Sequence, residues 1–153
     1  MQIRLYSGDR EAIRSLFELA DDSERAIASY MHAGEVLVAE QSGAPVGQIL
    51  LTKTSDADTA EIKSLAVRTD RQTSGIGRAL IDAAVEPCKV KGLRRLVLAT
   101  AAADVGNLRF YQRTGFRMLR IERDAFTAAH GYTDDGISDG IPLRDWVWFD
   151  REV

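Results

Sequence analysis

Val67-Arg-Thr-Asp-Arg-Gln72-Thr-Ser-Gly75-Ile-Gly77-Arg78-Ala-Leu80 changes character twice within one short stretch. An apolar, β-rich run ends at Val67, a polar loop follows, and two glycines open a segment of helical periodicity. The first turn of a helix leaves backbone N–H groups unpaired and carries a partial positive charge. Glycine allows a ligand to approach that backbone closely, and Arg71 and Arg78 add formal charge. The combination predicts an anion cradle whose natural guest is a pyrophosphate. A Rossmann fingerprint would need a third glycine at position 80, which is Leu80. A Walker loop would need Gly-Lys-Ser/Thr, which is absent. What remains is Gln72-x-x-Gly75-x-Gly77, which taken alone also fits a glycine turn that merely caps a helix.

Working outward, residues 60–67 read as a strand with Ile62, Leu65 and Val67 apolar. Residues 36–41 and 46–53 form a hairpin pattern around Ser42-Gly43-Ala44-Pro45. Upstream lie a short strand at 3–6, an amphipathic helix at 9–20 and a second helix at 22–33 that Gly34 can end. Downstream, residues 75–91 form a helix whose apolar stripe reads Ile76, Ala79, Leu80, Ala83, Ala84 and Val90, with Pro87 expected to kink or end it. A buried strand follows at 93–100, then a short helix at 104–113 capped by Asp104, and a strand at 115–121. A long Gly- and Asp-rich segment occupies 122–142, and 143–149 is a final strand. A strand–loop–helix–strand run implies a right-handed parallel crossover, and the hairpin implies antiparallel pairing. The expected fold is therefore an α/β domain: one mixed sheet with helices packed on it.

The 153 residues favour a single domain, 1–153, since no repeat or linker divides them. Hydrophobic residues at 45% and charged residues at 28% exclude a disordered tail or a fibre. A net charge of −3 argues against a general nucleic-acid binder. No apolar run approaches membrane-spanning length, and the first residues lack a secretory signal pattern, so a cytoplasmic location is expected. Cys88 is the single cysteine, and His32 and His130 have no partner at ligand spacing, so no metal site is expected. No Gly-x-Ser-x-Gly elbow or other activated nucleophile is visible, so no covalent acyl-enzyme is implied.

Gln72-x-x-Gly75-Ile-Gly77-Arg78-Ala-Leu after a strand resembles the acetyl-CoA loop of the GNAT acyltransferase superfamily. Phe110-Tyr111-x-x-x-Gly115-Phe116 resembles that superfamily's downstream motif, and the order of elements agrees along nearly the whole chain. The resemblance implies about seven strands and about four helices, with a central parallel pair that splays to make a slot. It implies acetyl-CoA as cosubstrate. The loop amides of Gln72, Thr73, Ser74, Gly75, Ile76, Gly77 and Arg78 would hold the pyrophosphate. The strand at Leu65, Ala66 and Val67 would pair with the pantetheine arm and offer an amide to the thioester oxygen. Tyr111 would be the general acid at the departing sulfur. Many members carry an asparagine seven residues before this tyrosine. Here that position is Asp104, read mainly as a helix cap, while Asn107 lies one turn before Tyr111 and is a candidate cofactor contact.

An amine attacking a thioester must first lose a proton, and Glu61 is the best-placed base on the cofactor strand. The plainer reading of Glu61 is a carboxylate at a strand end, paired with Lys63 or a hairpin lysine. That of Tyr111 is an aromatic packed beside Phe110 and Phe116. The expected activity is N-acetyl transfer to the primary amine of a small molecule. Protein or peptide acetylation, at lysine or an N-terminus, and a non-catalytic coenzyme A-binding module are the alternatives. The 122–149 region combines the aromatics Phe126, Tyr132, Trp146 and Trp148 with interspersed carboxylates, Asp134, Asp135, Asp139 and Asp145 among them. Aromatics with carboxylates suit an alkylammonium acceptor. The alternative is that the tryptophans are core or dimer contacts and the aspartates turn residues. A homodimer through the final aromatic strand is the expected form of self-association.

Overall fold

The computed structural model describes residues 1–133 and 136–153. The expectations placed on Asp134 and Asp135 fall outside them. In chain order the elements are β1 (Gln2–Leu5), α1 (Arg14–Ala20), α2 (Glu24–Tyr30), β2 (Glu35–Gln41), β3 (Ala44–Lys53), β4 (Thr59–Val67), α3 (Ile76–Val90), β5 (Arg95–Ala101), α4 (Val105–Arg113) and β6 (Arg117–Glu122). A two-residue pair, β7 (Ile137–Ser138) and β8 (Ile141–Pro142), precedes β9 (Trp146–Glu152). Seven strands form one sheet in the order β1-β2-β3-β4-β5-β9-β6. Only β4 and β5 run parallel; the other neighbours in that sheet are antiparallel. The mixed α/β architecture is the one expected.

The sheet is covered on both faces because its strands alternate apolar residues to each side. Ile13, Leu16 and Phe17, with Ile27 of α2 and Met31 at its C-terminal cap, pack on Val36, Val38 and Leu50. On the opposite face, Ile76, Leu80, Ile81 and Ala84 of α3 pack on Ile49, Leu51, Ala60 and Ile62. The α4 side chain Tyr111 joins this second cluster beside Leu98 and Phe149.

Four expectations change in detail. The buried stripe of α3 is Ile76, Leu80, Ile81, Ala84, Val85 and Cys88, whereas Val90 is 86% exposed at the helix end. Pro87 does not end the helix, which continues to Val90; it removes one N–H donor where only one further turn remains. The hairpin turns on Ser42-Gly43 alone, both at positive φ (52° and 77°), so Ala44 and Pro45 already belong to β3. The predicted helix at 9–20 divides into a 3-10 turn at Arg10–Ile13, capped by Asp9, and α1 proper.

The final strand has a further consequence. β9 lies between β5 and β6 and is hydrogen-bonded on both edges. It therefore has no free edge for pairing with a second copy. The sheet edges are β1 and β6.

Candidate active site

The parallel pair that defines the site is short. β4 and β5 share only the registers Thr59↔Arg95, Ala60↔Leu96 and Glu61↔Val97. From Ile62 to Val67 the β5-facing edge of β4 has no partner strand among the described residues, although β4 continues to pair with β3 through Val67↔Gly47. A row of main-chain donors and acceptors thus lines a slot that an extended ligand can complete. Leu65, Ala66 and Val67 lie on this free edge.

At the end of β4 the chain makes a 3-10 turn, Thr69–Arg71, and enters α3. Gly75 is the N-cap, in the left-handed region (φ 87°), and no side chain caps the helix. Ala79 donates back to the Gly75 carbonyl at 3.0 Å, and the earlier N–H groups of the first turn point past the helix end. Thr73 also has positive φ, 65°, so the loop reverses sharply just before the helix. Gln72 is held by its amide donating to the Val67 carbonyl at 3.1 Å, and Ser74 donates to the Arg71 carbonyl. Arg78 reaches the Arg113 carbonyl of α4. Gly77 has a second reason to be glycine: an added Cβ would lie 3.0 Å from Phe110 Cζ, so its absence lets α4 pack on α3. The cradle is a fifteen-residue helix with an open N-terminus at the mouth of the slot.

Tyr111 is 7% exposed and packs edge-on against Phe110 and Phe116, with centroids 5.1 and 5.8 Å away, and tilted against Phe149 at 5.9 Å. The aromatic packing read from the sequence is present. Burial, with a smaller contribution from Asp104, holds its hydroxyl well above the usual phenol range. It is therefore a protonated donor near neutral pH. Asp104 accepts from the Asn107 N–H at 3.0 Å, as a helix cap does. The Asn107 amide donates to Thr100 Oγ1 at 3.2 Å, which ties α4 to β5.

Register places the other side chains of β4. Leu50 faces Ser64 and Leu51 faces Ile62, so Lys63 is the extra residue of a β-bulge. Glu61 lies opposite Thr52 and Ser64 opposite Leu50, both on the α1–α2 face. Glu61 is half-buried and 3.7 Å from Lys63 Nζ. Burial raises its carboxyl above the ordinary range, and the Lys63 ammonium opposes the rise. Lys63 Nζ also sits 5.6 Å from the centre of the Tyr30 ring. Gln48, fully buried on this face, donates to Ser64 Oγ at 2.7 Å, and its Oε1 has no protein partner among the described residues. The pairing of Glu61 with Lys63 read from the sequence is present, whereas sequence reading missed Gln48, Ser64 and Tyr30 as neighbours of the site; the bulge that assembles them has no signature in the sequence.

The long segment after β6 closes over the same face. Tyr132 and Tyr30 each donate a hydroxyl to Asp21, at 3.1 Å in both cases, and the Ser23 N–H donates to it at 3.0 Å. Arg25 donates to the Ala129 carbonyl at 2.7 Å. Phe126 stacks edge-on with Tyr132 (4.9 Å) and Trp146 (5.7 Å), and Trp146 with Trp148 (6.3 Å). Two of the aspartates in this segment, Asp139 and Asp145, accept from backbone N–H groups, as the turn-residue alternative expects. Asp139 accepts from the Val105 N–H at 3.2 Å, and Asp145 from the Asp124 N–H at 2.9 Å.

An open helix N-terminus beside a half-paired parallel strand defines a fold built to take a pyrophosphate and an extended arm. Residues 4–116 match the Acetyltransferase (GNAT) family, and the chain belongs to that family. It is similar to the N-acetyltransferase YvbK of Bacillus subtilis, 31% identical over 147 residues, covering 96% of this chain and 93% of that protein. Among solved structures, the IAA acetyltransferase from Bacillus cereus is 37% identical, with a TM-score of 0.87 over 99% of this chain and 100% of that one. A GNAT family acetyltransferase from Elizabethkingia anophelis, with acetyl-CoA bound, has a TM-score of 0.90 at 29% identity, covering 99% and 97%. The fold, the family and the acetyltransferase class expected from the sequence are borne out.

Proposed function

We propose that this enzyme transfers the acetyl group of acetyl-CoA directly to the primary amine of a small molecule. The observation that carries the cofactor half is the uncapped α3 N-terminus at Gly75 next to the unpaired edge of β4. The amides of the loop from Gln72 to Arg78 hold the pyrophosphate, Leu65 to Val67 pair with the pantetheine arm, and Asn107 adds a contact from α4. Glu61 takes a proton from the acceptor ammonium, directly or through water, and passes it to solvent. The freed lone pair attacks the thioester carbon. A fixed β4 amide stabilises the developing oxyanion without reorganising. As the C–S bond breaks, Tyr111 protonates the sulfur, and the second amine proton restores the phenol through solvent. The products are the N-acetyl amine and coenzyme A. Seating both substrates side by side removes most of the entropic cost of their meeting.

The aromatic cluster of Phe126, Tyr132 and Trp146, strapped to Asp21 through Tyr132, favours a compact acceptor over a protein surface. No described helix is long and apolar enough to cross a membrane, and a cytoplasmic place goes with this reading. Titration calorimetry with acetyl-CoA, followed by coenzyme A release on an amine panel, tests it. Saturable binding with turnover of small amines is expected. Turnover confined to peptides would replace the acceptor class, binding with no turnover on any amine would leave a coenzyme A-binding module, and absent binding would remove the whole reading.

A further inference from the structure

We infer that the acceptor is an amine bearing a carboxylate close to its nitrogen, as in an amino acid, and that Lys63 receives that carboxylate. The inference rests on the transferase reading above and narrows its substrate class. Four described carboxylates, just before α2 and in and before the segment that leads into β9, have protein donors. Asp21 accepts from three protein donors, Asp139 and Asp145 each hold a backbone N–H, and Glu122 accepts from the Trp148 indole at 3.2 Å. A polycationic acceptor would find these carboxylates already engaged. Two nearby cations are committed: Arg25 holds the Ala129 carbonyl, and Arg120 lies 4.7 Å over the Trp148 ring.

Lys63 differs. Its ammonium carries three donors, yet its contacts among the described residues are the Tyr30 ring at 5.6 Å and Glu61 at 3.7 Å, longer than a hydrogen bond. The bulge displays it beside Glu61 at the point where β4 loses its β5 partner. A carboxylate and an ammonium side by side form the charge complement of an amino acid. The acceptor ammonium meets Glu61, and its carboxylate meets Lys63. The same exchange draws the lysine's charge away from Glu61, which strengthens Glu61 as a base while substrate is seated. The Tyr30 ring faces the ammonium, and its hydroxyl is anchored in turn by Asp21.

Matched acceptors test this: phenylalanine, phenylalanine amide and phenethylamine, then leucine, leucine amide and isoamylamine, each assayed for kcat/KM with the wild-type enzyme and with Lys63→Met. In wild type the free acid should exceed its amide and its decarboxylated amine by about ten- to a hundredfold in at least one series, the range of a charge-assisted hydrogen bond. In Lys63→Met that ratio should fall towards one through the KM of the acid, while acetyl-CoA affinity, measured by calorimetry, stays at the wild-type value. Amides or plain amines turned over as well as the acids by wild type would overturn the inference and leave the transferase reading intact. So would a ratio that survives Lys63→Met. A protein that binds acetyl-CoA but acetylates none of the six overturns the inference, and one that binds no acetyl-CoA removes the reading beneath it.

Discussion

Two glycines on one helix allow its structural and functional demands to be separated. Gly75 starts α3 at φ 87° and Gly92 follows its end at φ 76°. An added Cβ at either meets nothing within 4 Å, so substitution by alanine carries a conformational cost and no steric one. That cost is about 1–2 kcal/mol for an alanine held in the left-handed region. At roughly 2–4 °C per kcal/mol for a domain of this size, each variant should lose about 2–8 °C in Tm. Gly92 serves the helix end alone: its N–H donates to the Lys89 carbonyl at 3.0 Å and the Leu93 N–H to the Cys88 carbonyl at 2.9 Å. Gly75 also shapes the cradle. Gly75→Ala and Gly92→Ala should therefore melt alike, while only Gly75→Ala weakens acetyl-CoA, by at least tenfold in Kd. Asparagine tolerates the left-handed region better than alanine does, so Gly75→Asn should recover part of the lost Tm. The measurements are thermal unfolding by circular dichroism and calorimetric titration. Equal loss of acetyl-CoA affinity in both variants, or a Gly75→Ala protein that binds as wild type, would refute the cradle.

Three further outcomes follow from the site. Because burial raises the Glu61 carboxyl, and a general base must be deprotonated to act, the rising limb of kcat/KM against pH should lie above the ordinary carboxylate range. Lys63→Met removes the opposing cation and should move that limb to higher pH; Glu61→Gln should abolish it and lower kcat/KM by about 10²–10⁴-fold. Tyr111→Phe should reduce kcat, since sulfur loses its proton donor, with Tm within about 0.5 kcal/mol-equivalent of wild type because the ring packing against Phe110, Phe116 and Phe149 is retained. Unchanged kcat would return Tyr111 to a packing role. Tyr132→Phe cuts the strap to Asp21 and should raise the acceptor KM while leaving acetyl-CoA affinity unaltered in calorimetry.

Elements whose apolar period is regular could be read directly. The hairpin, the cofactor strand, α3 and the Asp104 cap of α4 fall within a few residues of their expected places, since each is dictated by neighbours in sequence. The Asp139-Gly140 turn between β7 and β8, with φ 52° and 75°, carries the common two-residue hairpin signal, which the Gly- and Asp-rich composition around it masks. Other features depend on contacts distant in sequence. Nothing near Trp146 says that β9 inserts between β5 and β6, because a buried strand looks the same whichever neighbours bury it. Nor does the sequence near Asp139 and Asp145 say that they will cap α4 and the Asp124 turn rather than face a ligand.

The bulge at Lys63 bears most directly on the chemistry. In an unbroken strand, Glu61, Lys63 and Leu65 would share a face, and Ser64 would point with Ile62 toward α3. One extra residue reverses this beyond Lys63: Ser64 and Ala66 turn to the α1–α2 face, opposite Leu50 and Gln48, and Leu65 and Val67 turn to α3. The small residues therefore line the acceptor side just where the strand loses its β5 partner, and the branched ones pack on the cofactor helix. A bulge also increases local twist, and the β4–β5 register ends only two residues before it, at Glu61. One insertion thus accounts for the departure of the strands, for the polar floor of Ser64 and Gln48, and for a lysine beside the proposed base. Deleting Lys63 would restore regular alternation with Ser64 still opposite Leu50; with the lysine and the added twist gone, acetyl transfer should fall sharply even in a protein that keeps the α3 cradle intact.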